Sequence, residues 1–367
     1  MKKLTMYLYI ALAVLLTVMC SIIVIRCVNF KKASNSVPSP TIPETKAEQT
    51  IEDSTITVSI SAAGDCTFGH DINSIGGWNF DTEFDNNNKD FTYFLKNVKP
   101  YFKKDDLTIV NFEGVLSDGG VRADKEYAFR GSPDYINILT SSSVEAANLS
   151  NNHVRDYGEA AFEDTQSIMS ENNIIWFYGK NYAITDIKGI KVGLIGTNNM
   201  NYEETSGFLN ALEELKTHEP NLIIASFHWG EESAKEPTQR QIELAHSAID
   251  NGADLVLGHH PHVLQGIEKY NGKYIVYSLG NFCFGGNRNP VDKDTMIFNQ
   301  TFSFKDEELL SDENVSVIPC SVSSVNTRNN FQPTPLSGDE FERVKEKILE
   351  RSSSFAGIEN VKFVKSK

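Results

Sequence analysis

The sequence predicts an α/β domain preceded by one membrane-spanning segment, on three observations. From Ile56 onward, short β-branched runs alternate with amphipathic stretches, the pattern of strands and helices packed in layers. The first thirty residues are almost wholly apolar, and a Ser-, Thr-, Pro- and Glu-rich stretch separates them from the rest. With 367 residues and 40% apolar side chains, the chain is long enough to bury a sizeable core.

The run LTMYLYIALAVLLTVMCSIIVI, 4–25, is uncharged and has the length of about 20 residues that crosses a bilayer core. Lys2 and Lys3 precede it and Arg26, Lys31 and Lys32 follow it, so charge alone leaves its orientation open. It exceeds the apolar core of a cleaved signal peptide, about 7–15 residues, and has no small-x-small cleavage site. Residues 1–30 are therefore expected to be an uncleaved anchor, and 31–55, without apolar periodicity, a disordered linker.

The globular part is expected to hold strands at 56–63, 107–112, 144–149, 190–196, 222–227, 253–258 and 274–280. Helices are expected at 91–102, 157–172 and 238–250, the last closed by Asn251 and Gly252. Past Pro290 come two further strands, 296–304 and 314–323, and then a helix from 338 opened by Ser337 with Glu340 as a capping box. The expected layout is a domain over 56–325 followed by a C-terminal extension with a helix, 326–367.

Charge and cysteine content exclude several classes. The 34 basic and 49 acidic residues give a formal charge of −15, which excludes a broad basic surface for nucleic acid. An anionic substrate needs a metal or a few placed cations. Cys20, Cys27, Cys66, Cys283 and Cys320 form no CxxC pair, so neither a zinc knuckle nor a disulfide framework is indicated.

The residues that follow the strands carry the functional signal. Gly64-Asp65 follows the first strand, Glu113-Gly114 the second, Asn151-Asn152-His153 the third, His228-Trp229-Gly230 the 222–227 strand, and His259-His260-Pro261-His262 the 253–258 strand. Taken singly, each reads as a turn, a cap or a satisfied core histidine. Taken together, they place metal-capable side chains at the same end of five strands, where ligands gather in open α/β sheets. Carboxylate, amide oxygen and imidazole without thiolate suit one or two divalent transition ions, Mn, Fe or Zn. A bridging Glu113 lets two ions sit about 3.5–4 Å apart and activate a water. His153, beside a liganding Asn152, is then a candidate proton donor.

The ordered series AAGDCTFG, DLTIVNFEG, YAFRGSPDY, NLSNNHVRDYG, ASFHWGEE and NGADLVLGHHPHVLQGIEKYNGKYIVYSLGNFCFG resembles the CapA family. This is also called the PgsA or poly-gamma-glutamate capsule biosynthesis family, a bacterial branch of the calcineurin-like metallophosphoesterases. The resemblance covers about 57–285, with a weaker tail to about 325. It implies a layered sandwich of two β-sheets flanked by helices. It also implies that Asp65 and His262 bind one metal, that Asn152, His228 and His260 bind the other, that Glu113 bridges, and that His153 matches the histidine of the GNH motif. In one place the sequence departs from the superfamily: where ordinary metallophosphoesterases have Asp-x-His, this chain reads Asp65-Cys66-Thr67. One ion lacks its usual histidine, and His70 compensates only if its loop folds back.

Other candidates stay open between two roles. Arg130 meets an anionic substrate group or is a surface arginine before a turn. Asn281 follows a strand and lines the site, and Asp156 orients His153 by hydrogen bonding. Trp229 flanks His228 either as pocket wall or as core. Cys66 is a ligand or a small packed residue, and His259 packs or hydrogen-bonds beside the strand end. The function expected is that of a single-pass cell-membrane protein with its domain outside the cytoplasm, acting with other capsule or poly-gamma-glutamate synthesis proteins on an anionic polymer or phosphoester. It is expected to be a metal-dependent hydrolase of phosphoester or amide bonds; the alternative is a non-catalytic structural or export component.

Overall fold

Two faces of each central strand are apolar, so each strand serves two cores at once. In the computed structural model, which describes residues 55–74, 77–198 and 203–366, the chain opens with β1 (Ile56–Thr67) and β2 (Leu107–Phe112). It passes through a small pair, β3 (Val115–Leu116) and β4 (Arg130–Gly131), into β5 (Ala146–Asn148) and β6 (Ile175–Phe177). A second sheet follows from β7 (Ala183–Ile187), β8 (Ile190–Asn198), β9 (Leu222–His228), β10 (Leu255–His259), β11 (Ile267–Tyr270) and β12 (Lys273–Val276). The chain then returns to the first sheet with β13 (Asn281–Phe284), β14 (Asp294–Lys305), β15 (Glu308–Ser321), β16 (Thr334–Pro335) and β17 (Lys362–Phe363).

The first sheet runs in the order β16-β15-β14-β1-β2-β5-β6, with β13 beside β1 and β17 beside β15; the second runs β11-β12-β10-β9-β8-β7. Strand periodicity of two sorts the side chains. Val58, Ile60 and Ala62 of β1, Leu107 and Ile109 of β2, Leu222 and Ile224 of β9, and Leu255 and Leu257 of β10 meet in one buried cluster shared by both sheets. The opposite face of the first sheet, with Val110 and Phe112, packs under helices that contribute Phe80, Phe102, Ile138 and Phe162. The opposite face of the second, with Ile223, Ala225 and Val256, packs under Glu203–Lys216 and Gln239–Asp250 through Leu212, Leu215, Leu244 and Ala248. The fold is thus mixed α/β, with multiple sheets flanked by helices. Among the described residues no helix is long and apolar enough to cross a membrane. The expected anchor over 1–30 and the linker up to residue 54 lie outside the described residues.

Several expected elements differ in ways that have physical causes. The helix expected at 91–102 is a run of turns that becomes helical only at Lys99–Phe102, with Pro100 in the first turn. Proline lacks the N–H that a continuing helix needs but suits a helix start. The strand expected at 274–280 stops at Val276, because Gly280 (φ +72°) turns the chain out of the second sheet and into β13 of the first. The capping box at Ser337 does not form: its side chain makes no cap hydrogen bond, and Glu340 is held by Arg343 instead. The expected 238–250 helix is present as Gln239–Asp250, with a capping box between Thr238 and Gln241.

Candidate metal centre

The centre begins as a row of polar residues in register across the first sheet. Asp65 on β1 lies opposite Asn111 on β2, Asn111 lies opposite Asn148 on β5, and Asn281 on β13 faces Asp65 from the other side. Irregular register on both flanks of Asp65 marks bulges there, which re-aim a strand residue toward a site. Gly64 permits this contact: a Cβ there would sit 1.9 Å from the Gly280 carbonyl, so only glycine lets β1 and the β13 entry approach so closely. Asp65, Asn111 and Asn148 are fully buried. The Asn148 amide donates to Asn111 Oδ1 (3.0 Å), and Asn111 Nδ2 donates to Asp65 Oδ1 (2.9 Å) and to Glu113 Oε1 (3.0 Å). One asparagine therefore aims both carboxylates.

The second sheet supplies the imidazoles. His228 ends β9 and lies opposite His259, which ends β10. Beyond it the backbone turns left-handed at His260 (φ +95°) and His262 (φ +58°), conformations that cost of order 1–3 kcal/mol each for a side-chain-bearing residue and persist where a site requires them. His262 Nδ1 lies 3.1 Å from Asp65 Oδ2 and 2.9 Å from Asn281 Oδ1, and His259 Nδ1 lies 3.3 Å from Asp65 Oδ1. His228 Nε2 reaches Asn152 Oδ1 at 3.0 Å, its Nδ1 is 3.7 Å from Glu113 Oε1, and its ring is 4.6 Å from that of His260. Ligand atoms of Asp65, Glu113 and His262 lie within 4.8 Å of one another. The five polar strand ends are thus brought together from two sheets rather than one.

Burial and close charges shift the ionisable groups of this assembly strongly. Burial raises the Glu113 carboxyl well above its usual range, and the Asp65 charge adds to it. Burial would raise Asp65 too, but the hydrogen bonds of His259 and His262 outweigh it and hold the carboxyl well below the usual range. Burial opposes the His262 imidazolium, yet its hydrogen bond to Asp65 and the Glu113 charge push it up to about 9. Burial and the neighbouring His262 press His260 down to about 4, and burial with the charge of His260 lowers His228 well below its ordinary value. Among the described residues, Glu113 Oε2 and His260 Nδ1 are buried without a hydrogen-bond partner, which native structures rarely tolerate. Oxygen and imidazole donors left in this state fit a divalent cation.

Beside the centre, Asp156 Oδ2 accepts from His153 Nδ1 (2.7 Å) and from the Phe129 N–H (2.6 Å), while its Oδ1 accepts from Lys125 Nζ (2.8 Å). Burial lowers His153 despite the Asp156 hydrogen bond. His153, His262, Asn281 and Phe284 line an open cleft of about 1310 Å³, whose wall also includes Arg288, Lys293, Arg343 and Lys347. Arg130 is held elsewhere: its Nη1 donates to the Gly119 carbonyl (3.3 Å), and its guanidinium lies 4.4 Å over the Tyr157 ring. Trp229 is core, stacked on Phe227 and bonded to the Tyr277 carbonyl. Asn111, Asn148 and Lys125 are not singled out by the sequence, although an asparagine inside the apolar run TIVNF is itself a signal.

A mixed α/β protein with a buried carboxylate, amide and imidazole centre at its strand ends defines the class. Residues 59–286 match the model of the bacterial capsule synthesis protein PGA_cap family, and the chain belongs to that family. It is similar to the PGA biosynthesis protein CapA of Bacillus subtilis, 32% identical over 212 residues, which are 51% of this chain and 55% of that protein. The capsule biosynthesis protein CapA of Bacillus anthracis is 30% identical over 220 residues, 52% of this chain and 54% of that one. A probable polyglutamine synthesis accessory protein of Mycobacterium tuberculosis is 25% identical over 210 residues, covering 48% and 55%. The chain spans about half the length of these curated relatives.

Proposed function

We propose that the chain is a membrane-tethered, extracytoplasmic capsule-synthesis protein with a metallophosphoesterase-type layered sandwich over 56–325, hydrolysing a phosphoester or amide bond of an anionic substrate. In this reading Asp65 and His262 would hold one divalent ion and Asn152, His228 and His260 a second, with Glu113 as a ligand shared by both. Mn, Fe or Zn suits this donor set. The observation that carries the reading is the convergence of buried Asp65 and Glu113 with half-buried His262 within 4.8 Å, with Glu113 Oε2 and His260 Nδ1 unpartnered among the described residues. When bound, such ions polarise the scissile group and supply an activated water.

The chain's own residues do the rest. Asn111 aims both carboxylates, and Asn281 orients His262. With Nδ1 committed to Asp156, His153 exchanges its proton through Nε2. The cleft, larger than most small-molecule pockets, suits an extended substrate such as a glutamate polymer, and basic residues are part of its wall. Partners in this reading are the membrane and other capsule or poly-gamma-glutamate synthesis proteins. The test is turnover of a phosphodiester and of poly-gamma-glutamate by metal-loaded full-length protein and by His260→Ala. Loss of wild-type turnover in the variant supports hydrolysis. A wild type that binds metal but turns over neither substrate favours the non-catalytic export role, for which the missing histidine of Asp65-Cys66-Thr67 already speaks.

A further inference from the structure

We propose that Glu232 is a metal ligand on the open side of the centre, standing in for the histidine that the Asp65-Cys66-Thr67 stretch does not provide. This rests on the metal-centre reading above. The two residues near that stretch that might have replaced the histidine are engaged elsewhere. His70 Nδ1 turns to Asp81 Oδ2 (3.4 Å), and its backbone bridges to Arg130. Cys66 is fully buried among the apolar residues under the first sheet, packed with Phe68, Phe112 and Cys283.

Glu232 is placed by the turn that follows β9. Gly230 takes φ +78°, and a Cβ there would come within 2.5 Å of Gln241 Oε1, so the chain bends sharply after His228-Trp229. Ser233, also left-handed at φ +64°, donates its N–H to the Pro261 carbonyl at 2.8 Å. Glu232 is thereby fastened beside the His260-Pro261-His262 loop, and its carboxylate and the ring nitrogens of His260 and His262 lie within 4.8 Å of one another. His262 belongs to this group and to the Asp65, Glu113 and His262 group alike, so the Glu232 carboxylate stands beside the very histidine that would hold the Asp65 ion. His260, whose buried Nδ1 has no hydrogen-bond partner among the described residues, is the independent sign that this side of the centre is built to hold a ligand. Glu232 itself is exposed and lines the cleft, where a carboxylate is reached by incoming cations.

The experiment titrates Co²⁺ into chelator-treated full-length protein, following heat and the visible absorption of the bound ion. Glu232→Gln is compared with wild type and with Glu236→Gln, an exposed acid of the same loop. Expected are two Co²⁺ sites in wild type and in Glu236→Gln, with one site weakened roughly tenfold to a hundredfold in Glu232→Gln and a changed Co²⁺ spectrum. Because residue 232 is exposed, the metal-free variants should unfold at the wild-type temperature. Wild-type stoichiometry, affinity and spectrum in Glu232→Gln overturn the proposal while leaving the centre intact. A wild type that takes up no Co²⁺ overturns the centre itself and this proposal with it.

Discussion

Loading the centre with a divalent cation must drive protons out of it, and the geometry sets how many. Metal ligands bind deprotonated. In the metal-free protein His262 is pushed up to about 9 through Asp65, so at pH 7 it is protonated by about a hundred to one. Asp65 is already ionised, and His228 and His260 are already neutral. Glu113, raised by burial and by Asp65, adds up to one further proton. Binding at pH 7 should therefore release one proton from His262 and as many as two in all. Each released proton weakens apparent affinity about tenfold per pH unit, so moving from pH 8 to pH 6 should cost about 2.7 kcal/mol for the His262 proton, and more where Glu113 also releases one. Isothermal titration in buffers of different ionisation enthalpy reads the number directly. Binding that releases no proton and keeps its affinity from pH 8 to pH 6 would refute the placement of His262 as a protonated ligand paired with Asp65.

Three further outcomes follow from the same coordinates. Metal-free protein should be most stable near pH 6.5. His262, raised above its ordinary value, stabilises fully below about 6.5 and loses that contribution as pH climbs through about 9, whereas His260, lowered to about 4, exacts its cost as pH falls below about 6.5; thermal unfolding that is flat from pH 5 to pH 9 would contradict this. Asp156→Ala removes a buried acceptor of three hydrogen bonds and should cost roughly 3 kcal/mol in urea unfolding; a cost below about 1 kcal/mol would show that His153 is held some other way. Gly258→Ala places a Cβ 2.0 Å from the Tyr277 carbonyl and 2.7 Å from Trp229 Nε1, so it should destabilise by about 2 kcal/mol or more, and a wild-type denaturation midpoint would count against that close approach.

What the sequence discloses depends on how far each residue departs from its surroundings. Asp65, Glu113 and the 259–262 histidines stand out because each breaks an apolar run at a strand end. Asn111 does the work of aiming two carboxylates yet reads as part of a strand, since only its register with Asp65 and Asn148 reveals the role. Glu232 reads as one more solvated acid until the Ser233–Pro261 hydrogen bond draws it to the histidines. The strands are legible because both faces are apolar, and for the same reason their assignment to two sheets is not. Val256 and Leu257 look alike in sequence but enter different cores. Gly280, where the chain changes sheets, sits among β-prone residues on both sides and so reads as part of a strand. Arg130, which the sequence leaves between two roles, lies over the Tyr157 ring and donates to the Gly119 carbonyl.

The central claim is that these strand ends hold a divalent transition ion. Elemental analysis of purified full-length protein, beside an Asp65→Ala/His260→Ala double variant, tests it most directly. One or two equivalents of Mn, Fe or Zn in wild type, and a clear loss in the double variant, is the predicted result. Wild-type protein with no more transition metal than the double variant, before and after incubation with each ion, would contradict it.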